Sequence, residues 1–206
     1  MKTFAYQNII YKFVSSFIVF PVYKFLFRGH LDGVENIPKT GSFIVVSNHG
    51  SLMDPPFLGH ALGVNVAFMA KEELFKIPLL SQIIKACGAY PVRRGTADKN
   101  SIKIAIDKLL NNDVIGIFID GTRQKDGRVN KPKQGSALLS SKTNKILVPV
   151  AIVNSHRLIR FKYFLPRFTK ITIKVGEPIE PPSSSSKEDL RIVTLKLQER
   201  INNLLN

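Results

Sequence analysis

Four nearly unbroken apolar runs punctuate the chain, at residues 43–46, 64–70, 114–119 and 146–153. Runs this short, rich in Val and Ile, read as strands buried on both faces. Between them the apolar period lengthens to that of a helix. Ile102, Ala105, Ile106, Leu109 and Leu110 form one stripe over 97–112, and Leu190, Val193, Leu197, Ile201 and Leu204 another over 187–205. Residues 55–62, 78–86 and 135–143 read as shorter helices, and 30–34 and 88–95 as short extended segments. Residues 170–175 alternate charged and β-branched positions, the pattern of a strand with one solvated face. Pro149 inside an apolar run predicts an edge, an end or a bulge. Ser185 with Glu188 matches a capping box before the last helix. Strands alternating with helices predict an α/β domain with a largely parallel or mixed central sheet flanked by helices.

The first 28 residues depart from this pattern. They are dominated by Phe, Tyr, Ile and Val, with Lys2, Lys12 and Lys24 interspersed and Pro21 predicted to break or kink the segment. The charge-free stretch 13–23 is shorter than the roughly 20 apolar residues of a spanning helix, and aromatics with lysines suit a membrane interface. No small-residue cleavage site follows the apolar run. The expected organisation is a membrane-associated helical anchor over 1–28, monotopic or single-span, and a domain over 29–206. Apolar residues nearly all round argue against a helix simply packed on the domain.

Charge narrows the partners. The formal net charge is +15, from 30 Lys+Arg against 15 Asp+Glu, so the molecule attracts anions: nucleic acid, an anionic lipid surface or an acidic carrier. The aromatics concentrate in the anchor rather than alternating with cations, against a nucleic-acid surface. The single cysteine, Cys87, reads as a small core residue. His30, His49, His60 and His156 lack zinc-site spacing, so no metal is expected.

The candidate chemistry lies just past the apolar runs, where ligands collect in open α/β sheets. The run 43–46 ends in Ser47-Asn48-His49-Gly50, and Asp54-Pro55 follows. Five positions turn through about 500° on a helix, so His49 and Asp54 can meet only on a strand-to-helix turn. There the carboxylate would orient the imidazole as a general base. Asp54 before proline is equally a helix N-cap. Lys71 follows the second run, Arg94 stands near the end of the 88–95 segment, and Asp120-Gly121-Thr122-Arg123 follows the third run. Arginines can bind phosphate bidentately, lysine adds a point charge, and Gly121 admits close approach to the backbone. Each cation taken alone also reads as a solvated surface charge. Ser47 and Ser51 flank His49, but no nucleophile elbow is present.

Asn48-His49-Gly50-Ser51-Leu52-Met53-Asp54-Pro55 resembles the His-x-x-x-x-Asp motif of the glycerolipid acyltransferases, above all the 1-acylglycerol-3-phosphate acyltransferases. The resemblance continues in order through residues 70–75, 88–95 (with Arg94), 118–123 and 148–152. Ile119 and Asp120 stand where the family usually has proline and glutamate, which would relax the turn and shorten the acidic side chain's reach. The resemblance implies acyl transfer from acyl-CoA or acyl-ACP, as co-substrate and with no bound cofactor, to lysophosphatidic acid, giving phosphatidic acid. His49 would act as general base, Asp54 would orient it, and Lys71, Arg94, Asp120, Gly121, Thr122 and Arg123 would serve substrate binding. The implied setting is the cytoplasmic face of a membrane, with anionic lipid and acyl carrier protein as partners and no nucleic acid. The alternatives are the same chemistry on glycerol-3-phosphate or another lysophospholipid, a non-catalytic lipid binder of this fold, and, more distantly, a basic nucleic-acid-binding protein.

Overall fold

The computed structural model describes residues 9–92, 99–158 and 168–206. Seven strands form one sheet: β1 (His30–Asp32), β2 (Ile44–Ser47), β3 (Val66–Lys71), β4 (Tyr90–Val92), β5 (Val114–Phe118), β6 (Leu147–Val153) and β7 (Thr172–Val175). Their order is β1-β7-β6-β2-β5-β3-β4. From β6 to β4 all pairs are parallel, β7 runs antiparallel to β6, and β1 is parallel to β7. The sheet is therefore mixed, with β2 at its centre. The carboxyl ends of five strands share one edge with the amino ends of β1 and β7.

Residues alternate across the sheet and build two cores. Val45, Val148, Val150 and Ile152 face α2 (Asp54–Leu62) and the N-terminal helix α1 (Ile9–Leu26). Ile44, Val46, Leu147 and Ala151 face α4 (Lys99–Leu110), α5 (Gly135–Thr143) and α6 (Lys187–Leu204). The remaining helix, α3 (Pro78–Ala86), follows β3 at the β4 end of the sheet. On α4 the expected stripe is narrower than read: Ala105 and Leu109 are fully buried, whereas Leu110 is 62 % exposed.

Three local expectations are corrected by longer-range contacts. Pro149 lies on an interior strand, paired in register with Val46 of β2. The β7 ladder starts only at Val150, and Leu147 bonds Ile179 instead. The missing proline N–H thus faces the interruption where the chain leaves β7, and Pro149 O accepts from Gly176 N at 2.8 Å. The cap of α6 is Ser186, whose hydroxyl accepts from Asp189 N, while Ser185 pairs with Ser141. In a run of four serines, Asp189 decides the register, because its carboxylate also accepts from the Ser184 hydroxyl. Pro21 does not break α1: it adopts helical angles (φ −59°, ψ −42°), with π-helical turns at Val14–Val19 and Val22–Leu26 on either side. These wider turns accommodate the absent N–H.

α1 is also not set apart from the domain. Val19, Tyr23 and Phe27 join the core, and the Tyr11 hydroxyl lies 2.8 Å from both Gly59 O and Val64 O, which share its one proton. Ser15 Oγ lies 2.9 Å from His60 Nδ1, and the His60 ring meets those of Phe20 and Tyr23. The opposite face leaves Phe13, Phe17 and Phe25 more than half exposed. A helix apolar all round thus serves two surroundings. Among the described residues it is the one helix long and apolar enough to cross a membrane.

His60 carries a pH consequence. Burial holds its pKa below the ordinary 6.5, so the neutral ring is the one that fits beneath α1. Below that value the unfolded chain takes up a proton that the folded site resists. The contribution is therefore present above about pH 6.5 and lost as the pH falls. Thermal melts from about pH 8 to about pH 5 should show a falling midpoint. His60→Gln should flatten that dependence, and an unchanged slope would refute the assignment.

Candidate active site

β2 ends at Ser47, and the chain turns sharply before α2. Asp54 is the first residue of α2 and is fully buried. Its carboxylate points back into the turn rather than capping the helix, correcting the N-cap reading. Oδ2 accepts from Gly50 N at 2.7 Å and Ser51 N at 2.8 Å, and lies 2.8 Å from His49 Nδ1. An acceptor already facing two N–H groups requires the proton on His49 Nδ1, which leaves Nε2 with its lone pair free to act as a base. The imidazole stacks on Phe118 at 3.9 Å between centroids, and Phe118 stacks in turn on Phe68 at 5.2 Å. Position and tautomer of the ring are thus fixed by one carboxylate and one aromatic column.

Two further side chains tie this turn to its neighbours. Asn48 donates to Gly127 O and Ile152 O and accepts from Ile152 N, linking β2, β6 and the loop after β5. Gly50 packs so closely on the turn after β6 (Ser155–Arg157) that a β-carbon would sit 2.5 Å from His156 N. The His156 ring in turn packs against Gly127. Burial, then Arg157, lowers the His156 pKa, while Asp126 and Asp54 oppose them. Ser51 Oγ accepts from Met53 N within the turn. Cys87 is partly buried, which pushes its thiol pKa up.

At the end of β5 the structure explains both departures from the family pattern. Ile119 is 1 % exposed, and its N–H donates to Ser47 O at 3.0 Å, a bond that proline could not make. The turn is tied rather than relaxed. The Asp120 carboxylate accepts from Asn130 N at 3.1 Å and Lys131 N at 2.9 Å. It thereby folds the 124–134 loop back over the turn, where Lys133 N bonds Ile119 O and Gln124 N bonds His49 O. Gly121 adopts φ +69°, a left-handed angle that favours glycine.

Thr122 and Arg123 follow, both exposed on the same edge of the sheet as His49. Lys71 closes β3 and is exposed, separated from β2 by β5. Arg94 lies outside the described residues. Direct contact thus joins His49 to Asp54, whereas Lys71 and Arg123 share only the edge. Phe118, Asn48 and Lys133 gain their places from pairing across the sheet and from loop closure. Their local sequence showed only a strand residue, a turn residue and one more surface cation.

Asp120→Asn should loosen the 124–134 loop. An amide can offer one acceptor oxygen but sets an NH₂ against the second backbone N–H, at a local cost of about 1–3 kcal/mol. Hydrogen exchange at Asn130 and Lys131 should accelerate accordingly, with β2 protection unchanged. Equal protection in the variant would show that the carboxylate does not hold the loop.

The acyltransferase family model matches residues 28–153. The 1-acyl-sn-glycerol-3-phosphate acyltransferase of Bacillus subtilis is 31 % identical over 178 residues, covering 84 % of this chain and 85 % of the relative. The chloroplastic 1-acyl-sn-glycerol-3-phosphate acyltransferase of Arabidopsis thaliana is 28 % identical over 156 residues. The chain spans about half the length of the chloroplastic relatives it matches, 42 % in Arabidopsis thaliana and 52 % in Brassica napus. The crystal structure of the 1-acyl-sn-glycerophosphate acyltransferase of Thermotoga maritima superposes with a TM-score of 0.77 at 34 % identity, covering 94 % of this chain and 77 % of that one. Sheet, histidine turn and sequence therefore agree: the chain belongs to the acyltransferase family, among its 1-acyl-sn-glycerol-3-phosphate acyltransferases.

Proposed function

We propose that this chain transfers a fatty acyl group from an acyl thioester, on coenzyme A or acyl carrier protein, to the free hydroxyl of 1-acyl-sn-glycerol-3-phosphate. The observation that carries the reading is the buried His49–Asp54 pair at 2.8 Å, on the strand edge that also bears Lys71 and Arg123. His49 Nε2 takes the hydroxyl proton as the oxygen attacks the thioester carbonyl. The C–O bond forms, the C–S bond breaks, and the imidazolium returns its proton to the departing thiolate. Products are phosphatidic acid and the free thiol. Asp54 holds the tautomer and faces the positive charge that develops on the ring. Arg123, with Lys71 and Arg94, receives the acceptor phosphate, and Gly121 and Thr122 shape the backbone beside it. Asp120 serves substrate binding at one remove, as the residue that positions the loop. No acyl-enzyme is required, and no bound cofactor or metal.

The exposed aromatics of α1 support membrane association of the domain, and a thioester donor on coenzyme A or acyl carrier protein favours the cytoplasmic face, where a lysophospholipid would reach the site laterally. Lysine on both flanks of the apolar stretch fits either a monotopic or a spanning helix.

His49→Ala should abolish acyl transfer while folding and vesicle binding persist, with the thermal midpoint lowered by the loss of one donor to the buried Asp54, and near-normal turnover would sink the mechanism. Assays with lysophosphatidic acid, glycerol-3-phosphate and other lysophospholipids, each with both donor types, should show the first acceptor preferred. Preference for glycerol-3-phosphate would transfer the assignment to that acceptor.

Removing the whole N-terminal segment would strip Val19, Tyr23 and Phe27 from the core, so the membrane reading is tested on the outer face. Phe17→Ser with Phe25→Ser should weaken flotation with anionic vesicles and leave folding intact. Unchanged flotation would contradict the reading.

A further inference from the structure

The last cation on the loop held by Asp120 is Lys133. Its side chain is exposed, yet it does not swing freely. A β-carbon at Gly121 would lie 3.1 Å from Lys133 Nζ and 3.4 Å from Cδ and Cε. The whole outer half of the lysine therefore lies against the bare backbone of the Asp120–Thr122 turn, in space that a side chain at 121 would contest. Three separate hydrogen bonds bring it there: Asp120 accepts from Asn130 N and Lys131 N, and Lys133 N donates to Ile119 O at 2.9 Å. Among the described residues no carboxylate lies within ion-pairing distance of Lys133 or of Arg123, two positions beyond Gly121. Two unneutralised cations thus flank one turn, at the carboxyl end of the strand beside β2.

Packing alone does not account for this arrangement. An aliphatic stem on a glycine gains little by burial when the residue is exposed, and an ammonium held near another cation is mildly repelled. A dianion between them reverses that sign. Arginine meets it with a fork and lysine with a point charge, both through charge-assisted hydrogen bonds.

We propose that Lys133 is a further cation of the acceptor's phosphate-monoester site, delivered onto the turn by the loop that Asp120 holds. The proposal rests on the acyl-transfer reading and deepens it. It also gives Gly121 a second reason to be glycine, beyond its backbone angle: the absent side chain lets the ammonium reach the ligand position. Asp120 acts through Lys133 and is a positioning residue.

The test uses the full chain in vesicles with one acyl thioester donor and three variants. Lys133→Met keeps the stem and removes the charge, Lys133→Ala removes both, and Lys133→Arg restores the charge. Loss of a charge-assisted bond to the phosphate should raise KM for lysophosphatidic acid by about tenfold to a hundredfold in the Met and Ala variants. The Arg variant should fall within a few-fold of wild type. Transfer to monoacylglycerol, which lacks the phosphate, should be unaffected. Near-normal KM in Lys133→Met would overturn the proposal, as would equal losses with both acceptors. A readout independent of turnover accompanies the kinetics: an amine-reactive reagent should label Lys133, and lysophosphatidic acid but not monoacylglycerol should protect it. Protection without transfer would fault the acyl-transfer reading and leave the phosphate site standing. Transfer without protection would fault the site and leave the reaction.

Discussion

A single buried carboxylate organises this molecule. Asp54 has no exposed surface, and withdrawing an ionised group from water costs several kcal/mol even after relaxation. Three N–H donors converge on its Oδ2, from His49, Gly50 and Ser51, and bonds of this type are worth about 1.5–3 kcal/mol each. The turn after β2 is therefore the conformation that neutralises an anion, and the orientation of the imidazole is one of its terms. Because Oδ1 has no hydrogen-bond partner among the described residues, the three bonds described all fall on Oδ2, and losing any of those donors is felt directly. The same compaction explains Gly50, whose backbone is pressed against Ser155 and His156 in the turn after β6.

A second carboxylate repeats the device one strand away. Asp120 gathers two backbone N–H groups of the following loop, as Asp54 gathers two of the preceding turn. The two assemblies are joined through the backbone, by Gln124 N to His49 O and Ile119 N to Ser47 O, and through Asn48, which bonds both the loop and β6. One anion fixes the imidazole that the proposed reaction uses as its base, and the other fixes the loop carrying cations. Replacing the family's proline by isoleucine adds a rung between β2 and β5, so the shorter aspartate works from a turn that is held more firmly.

Much of this was legible in the sequence because buried parallel strands have no polar alternation to blur them. The bounds of α3 and α5 and the central strands follow from apolar runs and helix breakers alone. Pro55 was likewise enough to keep His49 and Asp54 off one regular helix and point to a turn. What escaped depends on partners distant in the chain. Pro149 is tolerated on an interior strand only because the chain leaves β7 opposite it. Ser186 wins the cap through Asp189 and Ser184. The direction of the Asp120 carboxylate could not be read, since its acceptors are filled by backbone ten and eleven residues away. Lys133 looked like one of 30 basic residues until loop closure laid it on Gly121.

The N-terminal helix was the hardest segment to read, because its composition answers two demands at once. A helix apolar on every side suggests lipid throughout, yet one face carries the Tyr11, Ser15 and Tyr23 side chains that bond the domain. Those contacts fall mainly on α2, the helix whose first residue is Asp54. α2 has 9 residues, so it is about 13 Å long. With the outer face of α1 in a leaflet, the base at His49 would stand at a height set by side-chain packing rather than by a flexible tether. For an acceptor whose acyl chain stays in the bilayer, that height decides whether its hydroxyl meets the imidazole at all. On the proposed reading, docking α1 on α2 would serve catalysis as well as stability, which accounts for an apolar N-terminal helix that is stitched into the core instead of trailing from it.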